Sequence, residues 1–127
     1  AMDWGRTAWQ AGDFDTALKA FQGAATTEQG QKEVWPYLNQ GRIFQQVKGD
    51  SEAAITSYQT AIDIVNANDP GSPQAPPGYV EAHFRLGEIY ESLGDKPLAK
   101  TYYEAALGLD RNYTPAKNAL DNLVRNP

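Results

Sequence analysis

Few side chains in this sequence could support catalysis. His83 is the single histidine and the chain has no cysteine, so neither a histidine cluster nor a thiol-based site can form. The carboxylates Glu81, Glu88 and Glu91 fall on polar helix faces, without the apolar surroundings that raise a pKa for acid catalysis. No glycine-rich phosphate loop is present. We therefore predict no enzymatic activity, no cofactor and no metal, and a packing role for His83.

Three arginines are better candidates, and the chemistry they suggest is binding. Arg6, Arg42 and Arg85 occur in an otherwise acidic chain, and a planar guanidinium group suits bidentate capture of carboxylates. We predict that Arg42 and Arg85 matter most. Helical spacing places the arginines on polar stripes, and the candidate binding residues are Arg6, Trp9, Asn39, Arg42, Gln46, Arg85 and Glu88. A polar stripe is also typical of any solvent-facing helix, and that alternative stays open.

A motif that occurs three times predicts the helices that position these residues. Its pattern is Gly-Asp-x3-Ala-x3-Phe/Tyr-x2-Ala, and it begins at Gly12, Gly49 and Gly94. Glycine can take the left-handed conformation that ends a helix, and aspartate can cap the next helix. The two alanines and the aromatic residue then share one helical face. The predicted helices are roughly 2–11, 14–28, 34–48, 51–67, 79–93, 96–109 and 115–125.

A second set of glycines precedes each motif. Gly5, Gly41 and Gly87 are small enough to let the two helices of a pair approach closely. The distance from these glycines to the motif glycines is seven, eight and seven residues. The second unit is therefore predicted to carry one extra residue in its turn, near Lys48.

These motifs resemble the tetratricopeptide repeat, a unit of about 34 residues with a Leu-Gly-x2-Tyr and then an Ala-x3-Phe pattern. The third unit, 80–113, matches it through Leu86, Gly87, Tyr90, Gly94, Ala99, Tyr103 and Ala106. It departs from the pattern at Arg111, where a proline is usual. The second unit has Gln40 in place of leucine, and the first has Ala8 at an aromatic position.

The resemblance implies an all-α, right-handed superhelical solenoid of helix-turn-helix repeats in a single domain, 1–127. Repeat 1 would cover about 1–31 and lack the start of its first helix, so we expect a piece of a longer protein. Repeat 2 would cover 34–67 and repeat 3 would cover 80–113. The segment 114–125, with the apolar residues Ala116, Ala119, Leu120, Leu123 and Val124, is predicted to be the terminal capping helix.

In proteins similar to this one, the first helices line a concave groove that holds an extended peptide. The resemblance thus implies a protein-interaction scaffold whose partner is a protein or peptide. Acidic groups of that partner are the candidates for binding to the arginines. One known mode of the family clamps a partner's C-terminal carboxylate at five positions. Asn39 and Arg85 match that clamp, but Met2, Arg6 and Glu81 do not, so binding of chaperone tails is disfavoured.

The sequence also bears on functions other than peptide binding. The unit could instead pack on its own parent chain or self-associate, without an external peptide. Nucleic-acid binding is disfavoured because the formal net charge is −5 with only 11 Lys and Arg. No apolar run approaches the ~20 residues of a membrane span. The compartment is undetermined, with the cytoplasm slightly favoured.

A proline-rich insertion, 68–79, separates the second and third units. It contains four prolines and two glycines, a composition that cannot continue a helix. An exposed, tolerated loop is one interpretation. A recognition loop is the other, because Pro70, Pro73 and Pro76 form two overlapping Pro-x-x-Pro patterns.

Overall fold

Three equivalent turns organise the chain in the computed structural model, which describes residues 12–27, 34–68 and 77–125. Within these ranges the residues with a left-handed φ are Gly12 (81°), Gly49 (66°) and Gly94 (88°). The aspartate after each glycine accepts a hydrogen bond from the backbone N–H three residues later, at 3.1 to 3.2 Å: Asp13 from Thr16, Asp50 from Ala53 and Asp95 from Leu98. The turn chemistry predicted for the repeated motif is confirmed.

The described residues form helices and no strand, which confirms the all-α prediction. The helices are α1 (Phe14–Ala25), α2 (Trp35–Ile43), α3 (Ser51–Asn68), α4 (Pro77–Ser92), α5 (Lys96–Leu109) and α6 (Thr114–Arg125). The helix predicted at 2–11 lies outside the described ranges, as do Arg6 and Trp9. None of these six helices has both the length and the apolar character that crossing a membrane requires.

The chain divides into two compact units between Pro70 and Gly71. In the first unit α2 packs on both α1 and α3, and in the second unit α5 packs on both α4 and α6. The motif side chains form the interior of both units, with at most 4% of each exposed: Ala17, Phe21, Ala24, Ala54, Tyr58, Ala61, Ala99, Tyr103 and Ala106. The predicted buried face is therefore confirmed in all three repeats, while the single-domain assignment stays a prediction.

The glycine before each motif lies against the aromatic ring of the second helix. A Cβ atom built on Gly41 would be 2.6 Å from the ring of Tyr58, and one built on Gly87 would be 2.5 Å from the ring of Tyr103. Both rings are buried, with 0% and 1% of their surface exposed, so neither can move aside. The close approach expected at these two glycines is confirmed.

The extra residue of the second repeat lies inside its first helix and not in the turn, which corrects the prediction. Helix α2 continues as a π turn, Phe44–Lys48, in which backbone bonds span five residues instead of four. The N–H of Asp50 reaches the carbonyl of Phe44, six residues back, whereas the N–H of Asp95 reaches Tyr90, five residues back. The π turn thus absorbs one residue and leaves the glycine-aspartate turn unchanged.

Two further helix boundaries differ from the predictions. Helix α1 ends at Ala25 and not at 28, because the hydroxyls of Thr26 and Thr27 donate to the carbonyls of Gly23 and Ala24. The proline-rich segment is also shorter than 68–79, since α3 extends to Asn68 and α4 begins at Pro77. Proline fits the first helical turn, where its missing N–H has no helical partner. The remainder, 69–76, lies outside the described residues.

Helix α6 lies where a helix was predicted, but its apolar face is only partly covered. Its role as a capping helix stays a prediction. Ala116 is buried, and Ala119, Leu120 and Leu123 pack against a core that contains Phe84 and Tyr103. Val124, predicted to belong to the same face, is 77% exposed. The helix turns by about 100° per residue, so Val124 points away from the contact that Leu123 makes.

The packing at Gly41 predicts a large loss of stability for Gly41→Ala. The added methyl group overlaps a buried ring, and overpacking of this kind costs about 1–3 kcal/mol. Gly23→Ala is the matched control, because Gly23 is helical, exposed and has nothing within 4 Å of its Cβ position. It should be neutral or stabilise by about 0.5–1 kcal/mol. Urea unfolding of both variants measures the difference, and equal effects would contradict the packing argument.

Candidate functional site

The tyrosine that packs on each glycine also holds the end of the first helix. The hydroxyl of Tyr58 donates to Oε1 of Gln45 at 2.9 Å, and that of Tyr103 donates to Oε1 of Glu91 at 2.8 Å. Gln45 and Glu91 both lie four residues after the packing glycine. Burial raises the pKa of Tyr103, and the bond to Glu91 adds to the rise. The repeats therefore position their polar first-helix faces by the same contact.

The first-helix face of the first unit carries Asn39, Arg42 and Gln46. The Nδ2 group of Asn39 donates to the carbonyl of Trp35 at 2.9 Å, and its Oδ1 accepts from Nη1 of Arg42 at 2.9 Å. These two bonds fix the orientation of the amide and direct the guanidinium group along the helix. Both side chains are half-buried. The structure thus brings together two of the predicted residues.

Gln46 is exposed and lies in the π turn. Its predicted place beside Arg42 assumed α-helical spacing, and that spacing does not hold across a π turn. Gln46 therefore stays a prediction that no contact supports.

The first-helix face of the second unit is an ion-pair cluster around Arg85. Nε of Arg85 lies 3.3 Å from Glu81, Nη1 lies 2.9 Å from Glu88, and the guanidinium carbon lies 5.4 Å from the ring centre of Phe84. The predicted residues Arg85 and Glu88 are therefore in contact. Because two carboxylates surround one guanidinium group, the charge of Arg85 is compensated within its own helix.

A polar cleft of about 330 Å³ adjoins this cluster within the second unit. Helices α4, α5 and α6 all contribute to its wall, which consists of Phe84, Glu88, Glu91, Ser92, Tyr103, Ala119 and Asn122. Asn122 comes from α6, and sequence reasoning did not select it because tertiary packing alone brings α6 to this place. The contact between Glu81 and Arg85 could have been predicted from the sequence, since Glu81 lies four residues before Arg85, one helical turn away.

His83 lies among aromatic rings and not in a catalytic arrangement. Its Nδ1 is 2.8 Å from the carbonyl of Tyr79, a contact that requires the proton on Nδ1. Its ring meets that of Tyr79 edge-on at 4.8 Å and lies 6.3 Å from that of Tyr102. Burial lowers the pKa of His83, and the carbonyl of Tyr79 opposes this change. Within the described ranges, no group of three or more His, Cys, Asp or Glu side chains could hold a metal ion.

Comparison with known proteins identifies a family whose models match this sequence. Two models described as tetratricopeptide repeat match the sequence, one over residues 2–73 and one over residues 80–113. The heat shock protein STI1 of Saccharomyces cerevisiae is 29% identical over 121 residues, which cover 95% of this chain. The match spans only 18% of the length of that protein.

Solved structures show the same fold at low sequence identity. The Arabidopsis OM64 TPR domain is 21% identical with a TM-score of 0.80, and the match covers 99% of this chain and 93% of that one. The first TPR of Spaghetti (RPAP3), bound to the HSP90 peptide SRMEEVD, is 18% identical with a TM-score of 0.79 and coverage of 98% and 89%. The N-terminal domain of STI-1 from C. elegans is 16% identical with a TM-score of 0.78 and coverage of 96% and 90%.

The two tyrosine hydroxyls predict different losses of stability. Tyr103→Phe removes a bond to a carboxylate, for which about 1.5–3 kcal/mol is typical, whereas Tyr58→Phe removes a bond to a neutral amide, for which about 0.5–1.5 kcal/mol is typical. Urea unfolding of both variants, with circular dichroism as a check on helicity, measures the difference. A larger loss of stability for Tyr58→Phe than for Tyr103→Phe would show that the charge of Glu91 does not strengthen its hydrogen bond with Tyr103.

The lowered pKa of His83 predicts a pH-dependent stability. The folded protein binds this proton less well than the unfolded chain does, so the free energy of unfolding should fall as the pH drops through the ordinary value of 6.5. His83→Phe keeps an aromatic ring but removes the titration. The variant should therefore show a flatter dependence of unfolding free energy on pH between about 5 and 7.5. Parallel curves for the two proteins would contradict this assignment.

Proposed function

The chain belongs to the tetratricopeptide repeat family, and from this we infer that it is a protein-interaction module that binds an extended segment of a partner protein along its first-helix faces. Helices packed around buried tyrosines present these faces in a preformed shape. A preformed surface loses less conformational entropy on binding. The chemistry is recognition, and no catalytic step is proposed.

The hydrogen bond between Arg42 and Asn39 is the observation that carries this proposal. It is 2.9 Å long and orients a guanidinium group on the polar face of α2. An oriented guanidinium group binds a carboxylate through two parallel bonds with less loss of side-chain freedom. We therefore propose that the partner places an acidic group at Arg42.

The first-helix face of the second unit has a different charge. Arg85 lies between Glu81 and Glu88, so the three side chains together carry one net negative charge. An acidic group of the partner gains little there, whereas hydrogen-bond donors of a peptide backbone or side chain suit the carboxylate oxygens. We propose Arg42, which Asn39 orients, as the main acidic recognition point. Asn39, Arg85 and Glu88 are supporting residues.

Binding of a chaperone-type acidic tail is not favoured. In the carboxylate clamp that the family resemblance suggests, the position of Glu81 would carry a lysine. Here that position holds a carboxylate 3.3 Å from Arg85, which would repel the terminal carboxylate of a peptide such as SRMEEVD. We propose that this chain selects internal acidic segments in preference to a free C-terminus.

Charge reversal at the first-helix faces tests the proposal. Proteins are captured from source-cell lysate on immobilised wild type, identified, and their affinity for purified variants is measured by calorimetry. Arg42→Glu should weaken binding about tenfold or more, because an attractive pair becomes a repulsive one. Arg85→Glu should reduce the affinity less, since the charge of Arg85 is already compensated by two carboxylates of its own helix.

Arg111→Glu is the matched control, because Arg111 is exposed in the turn between α5 and α6. It should bind the partner as the wild type does, and all variants should keep the same circular dichroism spectrum. Equal binding by Arg42→Glu and wild type would refute the site. If nothing is captured and the mass of the wild type rises with concentration, the self-associating alternative replaces this function.

A further inference from the structure

An apolar groove lies on the second unit, between the beginning of α5 and the end of α6. Its volume is about 290 Å³. We name it the Lys96–Val124 groove, and its walls consist of Lys96, Pro97, Lys100, Leu120, Leu123 and Val124. None of these residues belongs to the first-helix faces. A space of this size lies at the lower end for small-molecule sites, so it fits a few side chains better than a complete ligand.

The walls of this groove include partly and largely exposed apolar side chains of α6. Val124 is 77% exposed, the largest fraction among the big hydrophobic side chains of the described residues. Leu120 and Leu123 are half-buried, because one side of each packs on the core and the other borders the groove. Covering this surface would remove apolar area from water, which is favourable.

Two lysines border the groove. Lys96 and Lys100 are exposed and lie one turn apart on α5, and both belong to its described lining residues. The chain as a whole has a formal net charge of −5. Two ammonium groups at this spacing complement two carboxylates that lie one turn apart on another helix.

We propose that the Lys96–Val124 groove binds an acidic amphipathic helix of a partner protein. Apolar side chains of that helix enter the groove against Leu120, Leu123 and Val124. Aspartate or glutamate side chains along its edge pair with Lys96 and Lys100. The hydrocarbon contact supplies affinity, and the two lysines select the acidic sequence.

A peptide-display selection tests this surface without a known partner. The wild-type chain selects from a library of random peptides long enough for about four helical turns. We expect the enriched peptides to combine apolar residues at helical spacing with carboxylates three or four positions apart. Fluorescence anisotropy then measures their affinity for purified variants.

The lysine pair is tested by Lys96→Glu/Lys100→Glu, which should weaken these peptides about tenfold or more. Lys19→Glu/Lys117→Glu is the matched control, because it makes the same change in net charge at exposed lysines outside the groove. It should bind the peptides as the wild type does. Val124→Ser should weaken them severalfold without loss of folding stability, since its side chain is exposed.

The groove and the first-helix site can fail independently. Arg42→Glu should leave the acidic peptides bound, so a loss there would assign them to the first-helix face and overturn the groove proposal. Failure to enrich acidic amphipathic peptides would overturn it as well. Wild-type affinity of Lys96→Glu/Lys100→Glu for the peptides would also overturn it. An equal loss of affinity with Lys19→Glu/Lys117→Glu would do the same, because it would indicate general charge attraction only.

Discussion

The contact between a glycine of one helix and a tyrosine ring of the next is the constraint on which the other features depend. Tyr58 lies against Gly41 and Tyr103 against Gly87, at distances that leave no room for a Cβ atom. The ring sets how closely the two helices approach, and its hydroxyl reaches back to the first helix. A single side chain therefore fixes both the spacing of the pair and the position of its polar face.

The repeated contact gives the repeats one geometry and leaves their surface chemistry free to differ. Asn39 and Arg85 occupy equivalent positions relative to their packing glycines, and so do Arg42 and Glu88. In one repeat the pair is an amide and a guanidinium group, and in the other it is an ion pair. Such divergence on a constant packing contact is compatible with a surface for recognition, because function depends on the site and not on the fold alone.

The π turn shows how strongly the turn chemistry resists change. One extra residue enters the second repeat, yet Gly49 keeps its left-handed φ and Asp50 keeps its cap. The insertion widens the end of the helix because a local change in backbone bonding disturbs fewer contacts than a displaced cap and core would. Its effect is confined to the segment that carries Gln45 and Gln46, at the edge of the polar face.

The sequence by itself determined the turns, the order of the helices and the residues that face the interior. These features depend on interactions within a few positions: a glycine with positive φ, a carboxylate that caps an N–H three residues later, and side chains at helical spacing. The pairing of Arg85 with Glu81 and Glu88 belongs to this class, because all three lie on one helix.

Only the tertiary structure decided which surfaces these helices leave open. Asn122 borders the same cleft as Glu88, although 34 positions separate them in the sequence. Val124 belongs to an apolar stripe by its spacing, yet it remains exposed beside Lys100. Spacing along one helix tells which residues share a face, but the neighbouring helix determines how much of that face is covered. Contacts between segments distant in sequence carry that information, and local periodicity does not.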